Sequence, residues 1–201
     1  FAIKFLRSDL SNDALTRTRF EREAQAAANL RTRHVVSVHD FGVEGAHAYM
    51  VMEVLEGEDL GVRLKREIRL GLEMVRQLVV QSCRGLHYAH AAGIVHRDLK
   101  PANIFMALVD GEETVKLLDF GVAKVLGDTN MLSSGAPAAG GKLGEDTKTG
   151  IILGSPHYMS PEHIRGQWKV VDHRSDLWSL AVIAFRALTG QMPFQGDYFP
   201  E

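Results

Sequence analysis

His96-Arg97-Asp98-Leu99-Lys100-Pro101-Ala102-Asn103 is the stretch on which the reading of this 201-residue chain turns. It supplies a carboxylate, an ammonium and an amide in close succession. Sixteen residues after Asn103 comes Asp119-Phe120-Gly121, a second carboxylate beside a glycine. In that order and at that distance, these groups can align a hydroxyl, hold a divalent metal ion and steady a nucleotide phosphate. His-Arg-Asp alone recurs by chance. Both motifs in order, with Asn103 at its offset, do not.

Upstream, Phe1-Ala2-Ile3-Lys4 is an apolar run ending in lysine. The flexible stem of such a lysine needs a carboxylate to hold it. Glu23 lies nineteen residues on, in Phe20-Glu21-Arg22-Glu23-Ala24, a stretch that reads as a helix; Glu21 is the competing choice. Downstream come Ser160-Pro161-Glu162 and then Ser175-Asp176-Leu177-Trp178-Ser179-Leu180, which opens another helix. Together these motifs resemble the eukaryotic-like serine/threonine protein kinase family. Its bacterial members are the most similar, through VHRDLKPANIF from Val95 and SLAVIAFRALTGQMPF from Ser179.

That resemblance implies an α+β fold of two lobes. A small β-rich lobe would occupy residues 1–52, a hinge 53–55 and a mainly helical lobe 56–201, with an activation segment over 119–162. Met52, Glu53 and Leu55 would line the adenine pocket. Asp98 would orient the substrate hydroxyl and accept its proton late in the reaction, and Lys100 would offset charge on the transferring γ-phosphate. Asn103 and Asp119 would hold Mg²⁺, with Mn²⁺ as a substitute, and Lys4 paired with Glu23 would anchor the α- and β-phosphates of ATP. His96, Phe120 and Gly121 would be structural. Arg97 would meet a phosphate on the activation segment, with Thr147 and Thr149 as first candidates and Ser133 and Ser134 behind them. Ser155 stands where the family usually has threonine, and its hydroxyl could bond Asp98 and Lys100. Glu162 would pair with an arginine late in the helical lobe, and Ser160 takes a place where alanine is more common. Asp176 would brace the backbone around Asp98; read locally, it is a helix N-cap.

A member of this family would carry two more strands and a glycine-rich loop ahead of Phe1, and several helices after Phe194. The chain therefore reads as part of a catalytic domain. Tested alone, it is expected to be weakly active or inactive and prone to aggregate through an unpaired sheet edge.

With 45% apolar and 24% charged residues, the chain has material for a sizeable core. A net charge of −2 gives no electrostatic case for nucleic acid or an anionic membrane as main partner. The single cysteine, Cys83, excludes an internal disulfide and, on the apolar face of a helix, reads as a buried structural thiol. No apolar run reaches the length of a membrane span, and the first residues do not resemble a signal peptide. The expected partners are ATP, protein substrates and a second kinase molecule for trans-autophosphorylation. The need for ATP points to the cytoplasm, with any membrane anchor outside this chain.

Patterning predicts a strand over 1–7 and a helix over 12–31, capped by Ser11-Asn12-Asp13. Val35–Phe41 and Ala48–Val54 read as strands about a Glu44-Gly45 turn. Apolar residues at Met74, Val75, Leu78, Val79, Cys83 and Leu86 predict a helix from Leu72 to Ala92, stopped by Gly93. A second helix is predicted from Asp176 to Leu188, ending at Gly190. Residues 127–150 are too polar and glycine-rich to offset their ordering entropy and are expected to be mobile.

The favoured function is transfer of phosphate from ATP to protein serine or threonine. A non-catalytic, pseudokinase-like scaffold is the alternative. A small-molecule kinase is a third reading, but such enzymes generally lack the Arg97/Lys100 combination and Ser160-Pro161-Glu162.

Overall fold

A computed structural model describes residues 1–5, 14–44, 47–120, 156–167 and 170–194. The first sheet is antiparallel, with β1 (Ala2–Phe5), β2 (Val38–Glu44) and β3 (His47–Met52) in the order β1-β3-β2. Helix α1 (Ala14–Ala28) lays Phe20 and Ala24 on it, forming a small core with Met50. Phe20 meets Phe41 edge to face at 6.4 Å, the geometry that the ring quadrupole favours. The predicted first strand and first helix are both present, over shorter ranges; residues 6–13 and the Gly45 turn lie outside the described residues.

Strand β2 starts at Val38, three residues later than its pattern suggests, because the preceding turn is claimed elsewhere. Val35 forms an isolated parallel bridge with Leu117, Val36 N donates to Leu117 O at 3.0 Å, and Leu117 N donates to His34 O at 2.9 Å. After β3, Glu53–Glu56 lead without regular structure into a second antiparallel sheet. It consists of β4 (Gly57–Asp59), β5 (Ile104–Val109) and β6 (Glu112–Leu117) in that order. The β5–β6 hairpin was not anticipated. Its turn is Asp110-Gly111, with φ of 51° and 82°, the doubly positive geometry that two-residue hairpins require.

Helix α2 (Leu60–Glu67) is capped by Asp59, whose carboxylate accepts from Val62 N at 3.0 Å. Helix α3 (Leu72–Ala91) ends one residue short of its predicted last residue, Ala92, and Gly93 follows with φ 75°. Its buried stripe runs through Val75, Leu78, Ser82, Leu86 and Ala89. Cys83 is exposed, contrary to expectation, because one further residue rotates it about 100° off that stripe. At Gly85 a Cβ would lie 2.7 Å from His34 O and 3.0 Å from a Leu117 methyl, so only glycine lets α3 approach this closely.

A short helix α4 (Pro161–Ile164) precedes α5 (His173–Thr189). Helix α5 starts earlier than predicted. Its N-cap is Asp172, accepting from Arg174 N at 2.9 Å, and Gly190 closes it at φ 75°. Asp176 lies inside the helix and is 1% exposed, which overturns its reading as an N-cap. Helices α3 and α5 and the second sheet share one core, in which Leu60, Leu78, Leu86, Ile104, Leu117 and Ile183 are almost fully buried. No helix among the described residues is long and apolar enough to cross a membrane.

Candidate active site

From Gly93 to Lys100 the chain has no regular structure, and Pro101–Asn103 form a single 3₁₀ turn leading into β5. Buried backbone polar groups in such a loop need partners outside it. Asp176 supplies them. Its Oδ2 accepts from His96 N and its Oδ1 from Arg97 N, each at 2.8 Å, and His90 Nε2 lies 2.8 Å from Oδ2. Burial pushes the Asp176 carboxyl up; the bonds from His90, Arg97 and His96 outweigh it and hold the group below its ordinary value. Braced in this way, Arg97 keeps a φ of 66°, a conformation that costs a non-glycine residue energy. His96 is fully buried; its Nε2 lies 2.7 Å from Leu118 O and its ring 4.7 Å from that of Phe120. It packs between the two motifs rather than facing solvent as a base would.

The Asp98 carboxylate, about one-third exposed, accepts from Lys100 Nζ at 2.6 Å. Asn103 Nδ2 donates to the Asp98 carbonyl at 2.8 Å and to its Oδ2 at 3.3 Å. Its amide nitrogen is therefore engaged, and its Oδ1 is left as an acceptor. Leu118 N donates to Asn103 O at 2.9 Å, which holds Asp119 beside this cluster. Asp119 has φ 57°, and its Oδ2 meets Lys4 Nζ from β1 at 2.6 Å. Two carboxylates, two ammonium groups and an amide oxygen are thus brought together from β1, the loop and 3₁₀ turn before β5, and the end of β6.

Two hard oxygen donors, from Asn103 and Asp119, fit a divalent cation that completes its shell with phosphate oxygens and water. Among the described residues no group of three or more His, Cys, Asp or Glu side chains could form a dedicated metal cage.

Other predicted residues separate into those the structure describes and those it does not. Glu23 lies on α1, but its side chain is outside the described part; the described carboxylate partner of Lys4 is Asp119. Gly121, Thr147, Thr149, Ser133, Ser134 and Ser155 also lie outside the described residues. Glu162 accepts from the Ser175 hydroxyl, which with Ser160 holds its carboxyl below the ordinary value. Met52 ends β3, and Leu55 is half-buried in the following linker. The Glu53 backbone N–H donates to Ser37 O at 3.0 Å. Its carboxylate accepts from Ser37 N and from Lys116 Nζ, both at 2.7 Å. Burial raises the Glu53 pKa, and the bonds from Lys116 and Ser37 bring it below its usual value.

Lys116 and His90 are supporting residues that the sequence analysis missed. Val115-Lys116-Leu117-Leu118 carried a signal: a lysine inside an apolar strand needs a buried carboxylate. Nothing local marks His90 as a partner of Asp176, 86 residues away.

The protein kinase domain family matches residues 1–199, and the chain belongs to that family. It is 41% identical over 197 residues to serine/threonine-protein kinase pkn3 of Myxococcus xanthus, covering 97% of this chain and 34% of that one. It is 39% identical over 201 residues to serine/threonine-protein kinase PknA of Mycobacterium tuberculosis, covering 98% of this chain and 42% of the relative. The chain therefore spans less than half the length of either relative. Among solved structures, the Mycobacterium tuberculosis PknI kinase domain superposes with a TM-score of 0.70 at 27% identity, covering 99% of this chain and 66% of that one. The expected α+β kinase fold is thereby established.

Proposed function

We propose that this chain carries the transfer centre of a serine/threonine protein kinase, with ATP as donor and Mg²⁺ as the metal. The observation that carries the reading is the linked cluster: Asp98 held by Lys100 and Asn103, and Asp119 held beside it by the Leu118–Asn103 bond and by Lys4. Phosphoryl transfer asks a protein mainly for positioning and charge neutralisation, and these groups supply both. Asp98 orients the substrate hydroxyl. As the new oxygen–phosphorus bond forms and the bond to ADP breaks, Asp98 takes the hydroxyl proton. Lys100, 2.6 Å from that carboxylate, offsets charge on the transferring group. Lys4 reaches the site from the first lobe and steadies the α- and β-phosphates. Asn103 Oδ1 and the Asp119 carboxylate would hold the metal, which would supply neutralisation of phosphate charge. Met52, Glu53 and Leu55 line the adenine side, and residues 53–55 act as the hinge between a lobe of residues 1–52 and one of residues 56–201. Arg97, exposed beside Asp98, is the receptor for an activating phosphate in the 119–162 segment.

The test supplies [γ-³²P]ATP and Mg²⁺ to the full-length protein with a generic basic protein, and separately with an aminoglycoside. The expected result is label on serine and threonine of the protein substrate and of the kinase itself, with none on the aminoglycoside. Mg-ATP binding without transfer to any substrate would contradict the reading and favour a scaffold.

A further inference from the structure

A cavity of about 530 Å³ opens between the Arg33–His34 turn, α3 and the start of β6. None of its lining residues belongs to the Asp98 cluster. Its floor is polar and already bonded. His34 Nδ1 lies 3.1 Å from Val115 O, Gln81 Oε1 accepts from Val115 N at 2.9 Å, and Thr114 Oγ1 accepts from Arg33 Nη2 at 3.2 Å. The Gln81 amide nitrogen therefore remains a donor.

The rim is unevenly charged. Arg76 is taken up by Glu73 at 2.6 Å and Glu113 by Arg63 at 2.6 Å. Arg84 has no ion-pair or hydrogen-bond partner among the described residues, and Arg33 is bonded there only to the Thr114 hydroxyl. Against these two guanidinium groups stands one carboxylate, Glu112, which is likewise without an ion pair among the described residues. Burial, reinforced by the charges of Arg33 and Arg84, lowers the pKa of His34 against the pull of its bond to Val115. Burial thus disfavours charge on the floor, and the rim keeps a net positive excess of one guanidinium over Glu112.

The cavity, at about 530 Å³, is lined by both of these guanidinium groups, Arg33 from the turn and Arg84 from α3. That volume accommodates a few residues of peptide and exceeds what a lone phosphate or carboxylate would fill. Guanidinium forks pair well with carboxylates. We propose that this groove docks an acidic peptide segment of a protein partner, with its carboxylates paired to Arg33 and Arg84. The site is separate from the transfer centre and does not depend on the reaction assigned there.

The test is fluorescence anisotropy of a fluorescein-labelled Glu/Ser peptide, beside its Gln/Ser counterpart, titrated with the full-length protein and with its Asp98→Asn variant. The Glu peptide should bind both proteins equally and lose affinity with added salt, while the Gln peptide should not bind. Arg84→Glu and Arg33→Glu should each weaken binding about 10-fold, and Glu112→Gln should tighten it a few-fold. Arg84→Gln stands in for a charge reversal that fails to fold, and the gain from Glu112→Gln is an opposite-signed check. No binding, equal binding of the Gln peptide, or indifference to the arginine changes would overturn the proposal. So would full displacement by an equal concentration of inorganic phosphate, which would mark a simple anion site. Self-association in sedimentation that Arg84→Glu abolishes would give the groove to a second copy instead.

Discussion

Asp98 is held at both ends of its residue, its carboxylate by Lys100 and its carbonyl by Asn103, so its orientation does not depend on substrate. On the proposed reading, Lys100 acts on the transferring group only as charge develops there. Lys100→Met is expected to lower kcat about 10²-fold while leaving the KM for ATP within a few-fold, as steady-state kinetics would show. Asp176 acts one step back. Removing a buried acceptor of two backbone N–H groups leaves them unpaired, and Asp176→Ala should cost about 3 kcal/mol in urea unfolding. The folded pKa of Asp176 is depressed, so its stabilisation is complete above the unfolded value, near 3.9, and is lost as pH falls through the folded one. The stability gap between the wild type and Asp176→Ala should therefore be widest near neutral pH and shrink in acid. A gap independent of pH would show that the charge on Asp176 contributes nothing. The two motifs were legible in the sequence because their partners lie within a few residues of one another. His90 and Lys116 were not, because their partners are distant in sequence and only the fold brings them together.

Helix α3 shows what periodicity conveys and what it omits. Its length and stop were readable from spacing and from Gly93, yet Cys83 was assigned to the wrong face, since polar Ser82 and small Gly85 occupy the buried stripe instead. Contact with His34 and Leu117 decided that. Gly85→Ala places a methyl 2.7 Å from a backbone oxygen and should cost about 1–3 kcal/mol by chemical denaturation. Strand β2 was drawn too early for a related reason: Val35 and Val36 have strand propensity but pair with Leu117 across the molecule. The β5–β6 hairpin was overlooked although Asp110-Gly111 between apolar runs is a strong hairpin signal. Near it, Lys116→Met would strand the half-buried Glu53 carboxylate and should destabilise the fold by about 2 kcal/mol, with Glu53→Gln in the same background restoring part of the loss.

Across the whole molecule, Leu30 and Val35 join the main apolar core, and polar ties add to them: Lys4 to Asp119, Glu53 to Lys116, and the His34–Val36 turn to Leu117. The two-lobed α+β architecture could be read from motif order alone, because each motif belongs to a fixed place in that fold. How the lobes join could not, since the ties lie between residues far apart in sequence. Lys4 lies on β1 and Asp119 just beyond β6, and a ligand that engages both should stiffen the pair. Saturating Mg-ATP at 100 times its Kd should add about 2.7 kcal/mol to unfolding of the full-length protein, and Lys4→Met should lose most of that gain. The central claim is that Asp98 and Asp119 divide the labour, one serving the hydroxyl and the other the metal–nucleotide. Single-turnover transfer from [γ-³²P]ATP, measured beside Mg-ATP binding in wild type, Asp98→Asn and Asp119→Asn, tests it directly. The account predicts that Asp98→Asn binds Mg-ATP normally yet transfers at least about 10²-fold more slowly, while Asp119→Asn loses Mg²⁺-dependent binding. Transfer at the wild-type rate by Asp98→Asn, or Mg²⁺-dependent binding unchanged in Asp119→Asn, would contradict it.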